Sequence, residues 1–249
     1  IPALRDPTPI PRRFLPLAGS SPLPDRLFMS DLVKRVSSLR LFHLWRKIGE
    51  KAAEQSIPAY LVGGVVRDLL LERSNLDMDV VVTGDAIPFA RKMAEEWKAG
   101  IRVFDRFHTA RVTLDDVKID FSSARIEHYT EAGALPMVEF SGLSNDLFRR
   151  DFTMNTLALD LLPDRFLHLI DFFGGYKDIV QKKMKILHSF SFLEDPTRIF
   201  RAIRFAGRFH FDFDDETKRA LNVALDREVV GKLSPQRICT EINRCLQEE

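Results

Sequence analysis

Two neighbouring segments restrict the possible folds of this chain more than any other feature. The first is an apolar run, Ala59–Val62, followed by Gly63-Gly64 and then by a stretch of helical character, Val65–Glu72. The second, Asp77–Val82, begins with an aspartate pair and ends in three valines, which favours a strand. Strand, glycine turn, helix and strand in this order predict a mixed α+β domain.

The remaining pattern predicts a mixed α+β part up to about residue 180 and an all-helical part after it. Residues 1–25 hold seven of the thirteen prolines, so we predict a linker or wrapping arm over 1–30 and two domains, over 31–180 and 181–249. The other expected elements are a helix over Asp31–Ser56 ended by Pro58, a helix over Ile87–Lys98, antiparallel strands over Arg102–Phe107, Ala110–Leu114 and Val117–Ser122, a loop over 125–147, a helix over Asp151–Leu161, a short strand over Phe166–Ile170 and helices from Asp195 almost to the end.

Composition excludes several classes of protein. Lys plus Arg is 37 and Asp plus Glu is 36, and this net charge of +1 gives no global sign of nucleic-acid binding, although unlike charges can be segregated along the chain. Two cysteines, Cys239 and Cys245, cannot build a disulfide scaffold or a C-x-x-C zinc site, so we expect free thiols in a cytoplasmic protein. No apolar window approaches the roughly 20 residues of a membrane helix.

Carboxylates form the first candidate site. Asp77 and Asp79 are two residues apart on a predicted strand, so their side chains point to the same face. Asp120 stands between Ile119 and Phe121 on another predicted strand, where burial without a partner is costly. Three carboxylates on adjacent strands could hold Mg²⁺ for phosphoryl transfer. The alternative for the first pair is solvated turn aspartates.

Glycines and arginines form the second candidate site. Gly63-Gly64 before a helix allows backbone N–H groups to approach a phosphate, and Arg67 could pair with phosphate oxygens, although Gly-Gly after a strand is also an ordinary turn. Asp151 and Asn155 are four residues apart and can share one helix face. The adjacent arginines 149 and 150 cannot share a face, so we expect different roles for them; a capped helix start with solvated arginines is the alternative.

An arginine stripe is the third candidate site. We expect a helix with Asp195 at its N-cap and Pro196 in its first turn. On a helical wheel its basic residues fall on one side and its apolar residues on the other, with no acidic residue between the first and last arginine. A charged stripe is usually a solvated face, but arginine forks also clamp phosphates and contact base edges. The stripe consists of Arg198, Arg201, Arg204 and Arg208.

Four motifs together resemble the class II tRNA nucleotidyltransferases, which belong to the polymerase-β-type nucleotidyltransferase superfamily and include CCA-adding, CC-adding and A-adding enzymes and bacterial poly(A) polymerases. They are Leu61–Leu71, Asp77-Met78-Asp79, Arg149–Asn155 and Glu194–Arg198. The match runs from about residue 58 to 246 in the family's order and spacing. It implies an α+β fold, in which a head with a mixed or antiparallel sheet and helices precedes an all-helical neck.

The resemblance also implies roles for individual residues. Asp77 and Asp79 match the metal-binding pair of the head, and Asp120 is similar to the third catalytic carboxylate. The Asp195 and Arg198 positions match an amino-acid template, in which side chains select the incoming base. The implied nucleotide-binding residues are Gly63, Gly64, Arg67, Arg150, Asp151, Asn155, Asp195, Arg198, Arg201 and Arg204.

The implied reaction is addition of A or C to the 3′ end of tRNA from ATP or CTP with Mg²⁺, releasing pyrophosphate. Phe107–Arg111 and Ala134–Pro136 are more similar to tRNA end-adding enzymes than to a poly(A) polymerase, and Asp171–Gly175 and Leu187–Phe192 favour a separate A-adding or CC-adding enzyme over a full CCA-adding one. The chain ends at Glu249 within a helical segment, so we expect body and tail domains to be missing. The alternatives are a nucleotide-binding or RNA-binding fragment without turnover and a bacterial poly(A) polymerase.

Overall fold

The computed structural model describes residues 24, 26–36, 39–73, 77–128 and 137–248. The helices are α1 (Arg26–Val36), α2 (Leu39–Glu54), α3 (Gly64–Leu70), α4 (Ala86–Trp97), α5 (Leu143–Phe148), α6 (Gly175–Val180), α7 (Ser191–Glu194), α8 (Thr197–Phe209), α9 (Asp215–Asp226) and α10 (Pro235–Leu246). The strands are β1 (Ala59–Val62), β2 (Asp77–Val82), β3 (Gly100–Phe104), β4 (Thr109–Leu114), β5 (Val117–Ser123), β6 (Arg125–His128), β7 (Met137–Phe140), β8 (Ala158–Asp160), β9 (Leu169–Ile170), β10 (Lys183–Met184) and β11 (Asp212–Phe213).

A seven-stranded mixed sheet organises the first part of the chain, in the order β3-β4-β5-β2-β1-β8-β9. Strands β2 and β5 are parallel at its centre, whereas β3, β4 and β5 form an antiparallel meander. The parallel register pairs Asp79 with Asp120, so both side chains project from the same face. Two-stranded sheets, β6–β7 and β10–β11, complete the α+β fold.

Apolar side chains fix the face to which the acidic residues point. Met78, between the two aspartates of β2, is 1% exposed and accepts a hydrogen bond at 2.8 Å from the indole N–H of the fully buried Trp45. Phe89 of α4 packs edge-to-face on Phe121 of β5, with ring centroids 5.6 Å apart. Each such buried side chain contributes about 1.5–3 kcal/mol, which holds the opposite face of β2 and β5 toward the cleft.

Helix α8 shares this hydrophobic core with the sheet. Phe205 packs edge-to-face on Phe152, and Phe209 packs on Phe205 and on Phe211. Ile199 and the other inward residues of α8 belong to the same continuous cluster of buried side chains. The arginine side of α8 is thereby turned toward the sheet's acidic face.

Much of the sequence-based prediction agrees with the structure. Strands β1 and β2 have the predicted bounds, the antiparallel meander is present, and Cys239 and Cys245 are free. The chain is helical from Thr197 almost to the end, interrupted by the short strand β11. In the described part of the chain, no helix is long and apolar enough to cross a membrane.

Four predicted elements differ from the structure. The helix expected over 31–56 begins earlier, at Arg26 inside the predicted arm, and ends at Glu54, before Ser56 adopts a left-handed conformation; residues 37 and 38 within this range lie outside the described residues. The proline-rich residues 1–23 lie outside the described residues. The loop expected over 125–147 contains β6, β7 and α5.

The helix expected over Asp151–Leu161 is instead a short 3-10 turn at Thr153–Asn155 followed by strand β8. Its apolar residues pair with β1, so Leu159 lies opposite Leu61 in the sheet. Short apolar runs fit the spacing of a helix and of a strand alike. Here the segment forms a strand that pairs with the edge of β1 not occupied by β2. The strand expected over Phe166–Ile170 is reduced to β9.

Gly49 of α2 allows the helix to pack against the end of β8. A Cβ at this position would lie 1.7 Å from the Leu161 carbonyl oxygen, whereas a Cβ at Gly207 of α8 has no atom within 4 Å. Gly49→Ala should therefore lower the free energy of unfolding by about 1–3 kcal/mol. The matched variant Gly207→Ala should leave it unchanged or raise it by up to about 1 kcal/mol. Urea denaturation followed by circular dichroism measures both; equal stabilities would contradict this packing.

Candidate active site

One cleft of about 680 Å³ contains every residue singled out for catalysis or nucleotide binding. The glycine turn and the sheet form one wall, and helix α8 forms the other. The lining includes Gly63, Gly64, Arg67, Asp77, Asp79, Asp120, Arg150, Asp151, Asn155, Asp195, Arg198, Arg201, Arg204 and Arg208. Residues more than 140 positions apart in sequence therefore face the same volume.

Asp77, Asp79 and Asp120 form the acidic wall of the cleft. Although Asp79 opens to the cleft, protein surrounds it, and this desolvation raises the pKa of its carboxyl; the charges of Asp120 and Asp77 raise it further, while Arg150 opposes them. Asp120 is gripped by Arg111 of β4, its neighbour in the antiparallel register, through bonds of 2.7 Å and 2.6 Å. Like charges held this close favour a cation between them.

The acidic wall fits a divalent cation in its chemistry but is not a complete metal site. Carboxylate oxygens are the donors that Mg²⁺ prefers. Among the described residues, no three carboxylate, imidazole or thiol groups are placed together so that they could hold a metal ion. Arg111 meanwhile occupies both oxygens of Asp120. As a third ligand, Asp120 would therefore share its carboxylate between the ion and Arg111.

Gly63 is required at the turn for two reasons. Its φ of 73° lies in the left-handed region, which disfavours residues with a side chain. A Cβ there would also lie 2.5 Å from Nη1 of Arg150. The missing side chain thus lets the Arg150 guanidinium lie directly over the turn. Arg150 also donates to Asp146 at 3.2 Å, while its buried Nε has no partner among the described residues.

Arg67 lies largely inside the protein, with 4% of its surface exposed. It donates two hydrogen bonds to Asp68 and one, at 2.7 Å, to the side-chain oxygen of Asn155. Its guanidinium also stacks over the rings of Phe205 and Phe209, at 5.2 Å and 4.6 Å from their centroids. Arg67 consequently links the helix after the glycine turn to α8.

Asp151 joins the same network to the arginine stripe. Its carboxylate accepts a 2.8 Å hydrogen bond from Asn155 and is gripped by Arg201 at 2.8 Å and 2.6 Å. Burial raises the pKa of the Asp151 carboxyl, but the charge of Arg201 and these hydrogen bonds outweigh it and lower the pKa to about 2. Asp151 and Asn155 therefore meet as predicted, through a tight turn rather than along a helix.

The adjacent arginines 149 and 150 have different surroundings, as the sequence indicated. Both pair with the fully buried Asp146; burial raises the pKa of that carboxyl, but the two arginine charges and their hydrogen bonds leave it below its usual value. The Arg149 carbonyl oxygen additionally accepts a hydrogen bond at 2.8 Å from Arg198. Arg149 thus supports the arginine stripe, and Arg150 covers the glycine turn.

The arginines of the stripe differ along α8 in burial and in hydrogen-bond partners. Arg198 is buried and donates to Ser191 at 2.7 Å, whereas Arg204 and Arg208 pair with Glu248. The buried Nε of Arg204 has no partner among the described residues, and burial, aided by the neighbouring Arg201, lowers the pKa of Arg204. A buried donor and an imperfectly neutralised charge are features that an anion would satisfy.

Asp195 is held by a residue that the sequence reasoning missed. Its Oδ1 accepts hydrogen bonds from the backbone and hydroxyl of Thr197 at 3.2 Å and 2.7 Å, and from Arg237 of α10 at 3.0 Å. Pro196, rather than Asp195, occupies the N-cap position of α8. Glu241, one turn after Arg237, is buried, and its negative charge interacts with Arg201 and Arg204 of the stripe. This four-residue spacing of opposite charges on an amphipathic helix was the available signal.

Known proteins are similar to this chain in both sequence and architecture. Residues 59–185 match the poly A polymerase head domain. The A-adding tRNA nucleotidyltransferase of Geobacter sulfurreducens is 44% identical over 204 residues, 82% of this chain and 23% of that protein. The enzyme of the same name from Halalkalibacterium halodurans is 36% identical over 88% of this chain and 52% of its own length. The chain thus spans about a quarter to a half of these relatives.

Solved structures agree with the sequence comparisons. A CCA-adding enzyme in apo form II superposes with a TM-score of 0.84 at 38% identity, covering 89% of this chain and 52% of that one. The Thermotoga maritima CCA-adding enzyme complexed with tRNA has a TM-score of 0.80 at 37% identity, covering 89% and 50%. These likenesses confirm the fold class and the resemblance drawn from the four motifs. Since the matched residues 59–185 are more than half of the 249, the chain belongs to the poly A polymerase head domain family.

Proposed function

We propose that this chain carries the active site of an enzyme that adds A to the 3′ end of tRNA, using ATP and releasing pyrophosphate. The observation that carries the proposal is the single cleft in which an acidic wall faces an arginine-lined helix. The nucleotide preference follows the relatives: A-adding enzymes of three bacteria are 36–44% identical to this chain. A CC-adding enzyme of Deinococcus radiodurans is 39% identical over a smaller share, 59%.

In this proposal Asp77 and Asp79, with Asp120 beside them, would hold a divalent ion such as Mg²⁺. When bound, the ion activates the attacking 3′-hydroxyl and neutralises charge on the triphosphate. Desolvation, to which the charges of Asp120 and Asp77 add, raises the pKa of Asp79; a cation beside the three carboxylates would stabilise their charged forms, which supports this assignment. Arg111 then acts as the counter-ion of the wall while no metal is bound.

The arginines take the opposite role. The 3′-hydroxyl oxygen attacks the α-phosphorus, a new P–O bond forms, and the bond to the β-phosphate breaks as pyrophosphate leaves. Negative charge grows on the leaving group, and preorganised guanidinium groups stabilise it. Arg150 and Arg204 suit this task, since each has a buried Nε with no partner among the described residues. Arg67 and Arg201 act mainly by holding Asn155 and Asp151, which face the ribose.

Asp195 and Arg198 select the base. Arg198 is fixed by Ser191 and by the Arg149 carbonyl, yet each of its terminal nitrogens carries a second N–H that can reach a base edge. Asp195 supplies an acceptor whose orientation Arg237 sets. A fixed donor and a fixed acceptor side by side discriminate bases by hydrogen-bond pattern.

We assign the catalytic head to residues 31–180 and the nucleotide-selecting neck to residues 181–249, and we place the protein in the cytoplasm. Relatives with solved structures support the partners: CCA-adding enzymes have been solved with CTP, with ATP and with tRNA.

A second candidate function, nucleotide binding without turnover, is favoured by one fact. The chain spans only 23% of two A-adding relatives.

Replacing Asp77 and Asp79 together with alanine should abolish catalysis. Label transfer from ATP to tRNA lacking its terminal A should fall by at least about 1,000-fold, because the metal-holding pair contributes several kcal/mol to transition-state stabilisation. Asp226→Ala, an exposed change on α9, is the control and should match wild type. If wild type transfers no more label than the double variant, the catalytic proposal fails; ATP binding without transfer would then favour the second candidate.

Arg198→Ala should weaken base selection more than triphosphate binding. We expect kcat/KM for ATP relative to the other nucleotides to fall by about 5- to 150-fold, the usual value of a two-pronged base contact. Inhibition by inorganic triphosphate should stay unchanged. Arg219→Ala, an exposed arginine of α9, controls for loss of positive charge. An equal loss for all four nucleotides would argue against base reading by Arg198.

Arg237→Gln should lower base selectivity, because Arg237 contacts Asp195 and acts on the nucleotide only through it. Losing a charged hydrogen bond to Asp195 should lower the ATP-to-CTP ratio of kcat/KM by about tenfold, while kcat for ATP changes little. Arg237→Lys keeps the charge and should restore part of the ratio. An unchanged ratio together with a lower kcat would show that Arg237 only supports the fold.

A further inference from the structure

An exposed pair of contacting rings lies just outside the cleft, and the mechanism above does not use it. Phe140, the last residue of β7, is 56% exposed. Its ring contacts the His108 imidazole, with centroids 4.6 Å apart and planes inclined by 59°. An exposed large aromatic side chain held in a fixed orientation is a typical contact surface rather than a core element.

The ring pair lies at the edge of the cleft. In the antiparallel β6–β7 pair, Phe140 lies directly opposite Arg125, so the two side chains share a face. Arg125 and Thr109, the residue after His108, both line the cleft. We call Phe140, His108 and Arg125 the rim platform. It forms the border of the cleft on the side of the sheet.

Two arginines lie in or beside the rim platform. The Arg125 guanidinium lies 5.8 Å from the centroid of the Phe107 ring and donates to the Phe107 carbonyl oxygen. Arg106, which is exposed, lies 5.7 Å from the same ring. Aromatic rings beside arginines fit single-stranded nucleic acid, since bases stack on the rings and the guanidinium groups attract phosphates.

We propose that the rim platform binds the unpaired 3′-terminal nucleotides of the RNA that receives the new residue, with a base stacked on Phe140. The proposal rests on the function proposed above and adds the place where the acceptor enters. Arg125, which lies opposite Phe140, and Thr109 line the same cleft as the three aspartates, so a base on Phe140 would lie at the border of that cleft. Duplex RNA offers no unstacked base to such a platform, so the single-stranded end is the occupant that fits.

Phe140→Ala tests the platform. We expect the KM for the RNA acceptor to rise by at least about 5-fold, as for loss of one base–aromatic stack, with the KM for ATP and kcat unchanged. Phe140→Trp keeps a stacking ring and should behave as wild type. Met137→Ala is the matched control, because Met137 is 60% exposed on the other face of the same strand and should have no effect.

An unchanged RNA KM in Phe140→Ala, or an equal rise in Met137→Ala, would overturn the platform while leaving the proposed function intact. Failure of the proposed function is recognised separately, by absence of label transfer in wild type. In that event fluorescence anisotropy still tests the platform with two probes, a hairpin RNA with an unpaired 3′ end and its blunt counterpart. Phe140→Ala should weaken binding of the first only; equal effects on both, or none, would contradict the proposal.

Discussion

The buried ion pair between Asp151 and Arg201 is the interaction on which the rest of the site depends. It connects the turn after α5 to the arginine helix, and through Asn155 it extends to Arg67 beside the glycine turn. Each member is satisfied by the next, so none of these charges is buried alone. Removing one partner would leave a buried charge unpaired, which typically costs about 3–5 kcal/mol. The two walls of the cleft are therefore held at a fixed distance by electrostatics as well as by the shared hydrophobic core.

The residues that line the cleft were predicted from the sequence more completely than the helices and strands. Strong local signals, such as the glycine pair and the aspartates of β2, placed their elements correctly because turn chemistry and β-branched residues act locally. The segment from Asp151 to Leu161 failed because its apolar spacing suits helix and strand equally, and pairing with β1 is a long-range event. The β6–β7 pair was missed because both strands are short and β7 is mostly exposed.

The site residues that sequence reasoning missed share one property. Asp146, Arg111 and Arg237 each contact a charged side chain of the cleft. Asp146 stands three and four residues before the two arginines it holds, and Arg237 stands four residues before Glu241, so the spacing of opposite charges was a signal for both. Arg111 pairs with Asp120 across two strands, and this contact depends on a strand register that a single sequence does not fix.

The parallel pairing of β2 and β5 has a consequence for the acidic wall. Asp79 and Asp120 are 41 positions apart in the chain, yet they sit on adjacent strands whose spacing is fixed at about 4.8 Å by backbone hydrogen bonds. The backbone of these two strands cannot move apart or together without breaking the sheet. The distance between the carboxylate groups of the wall therefore changes only through rotation of their side chains.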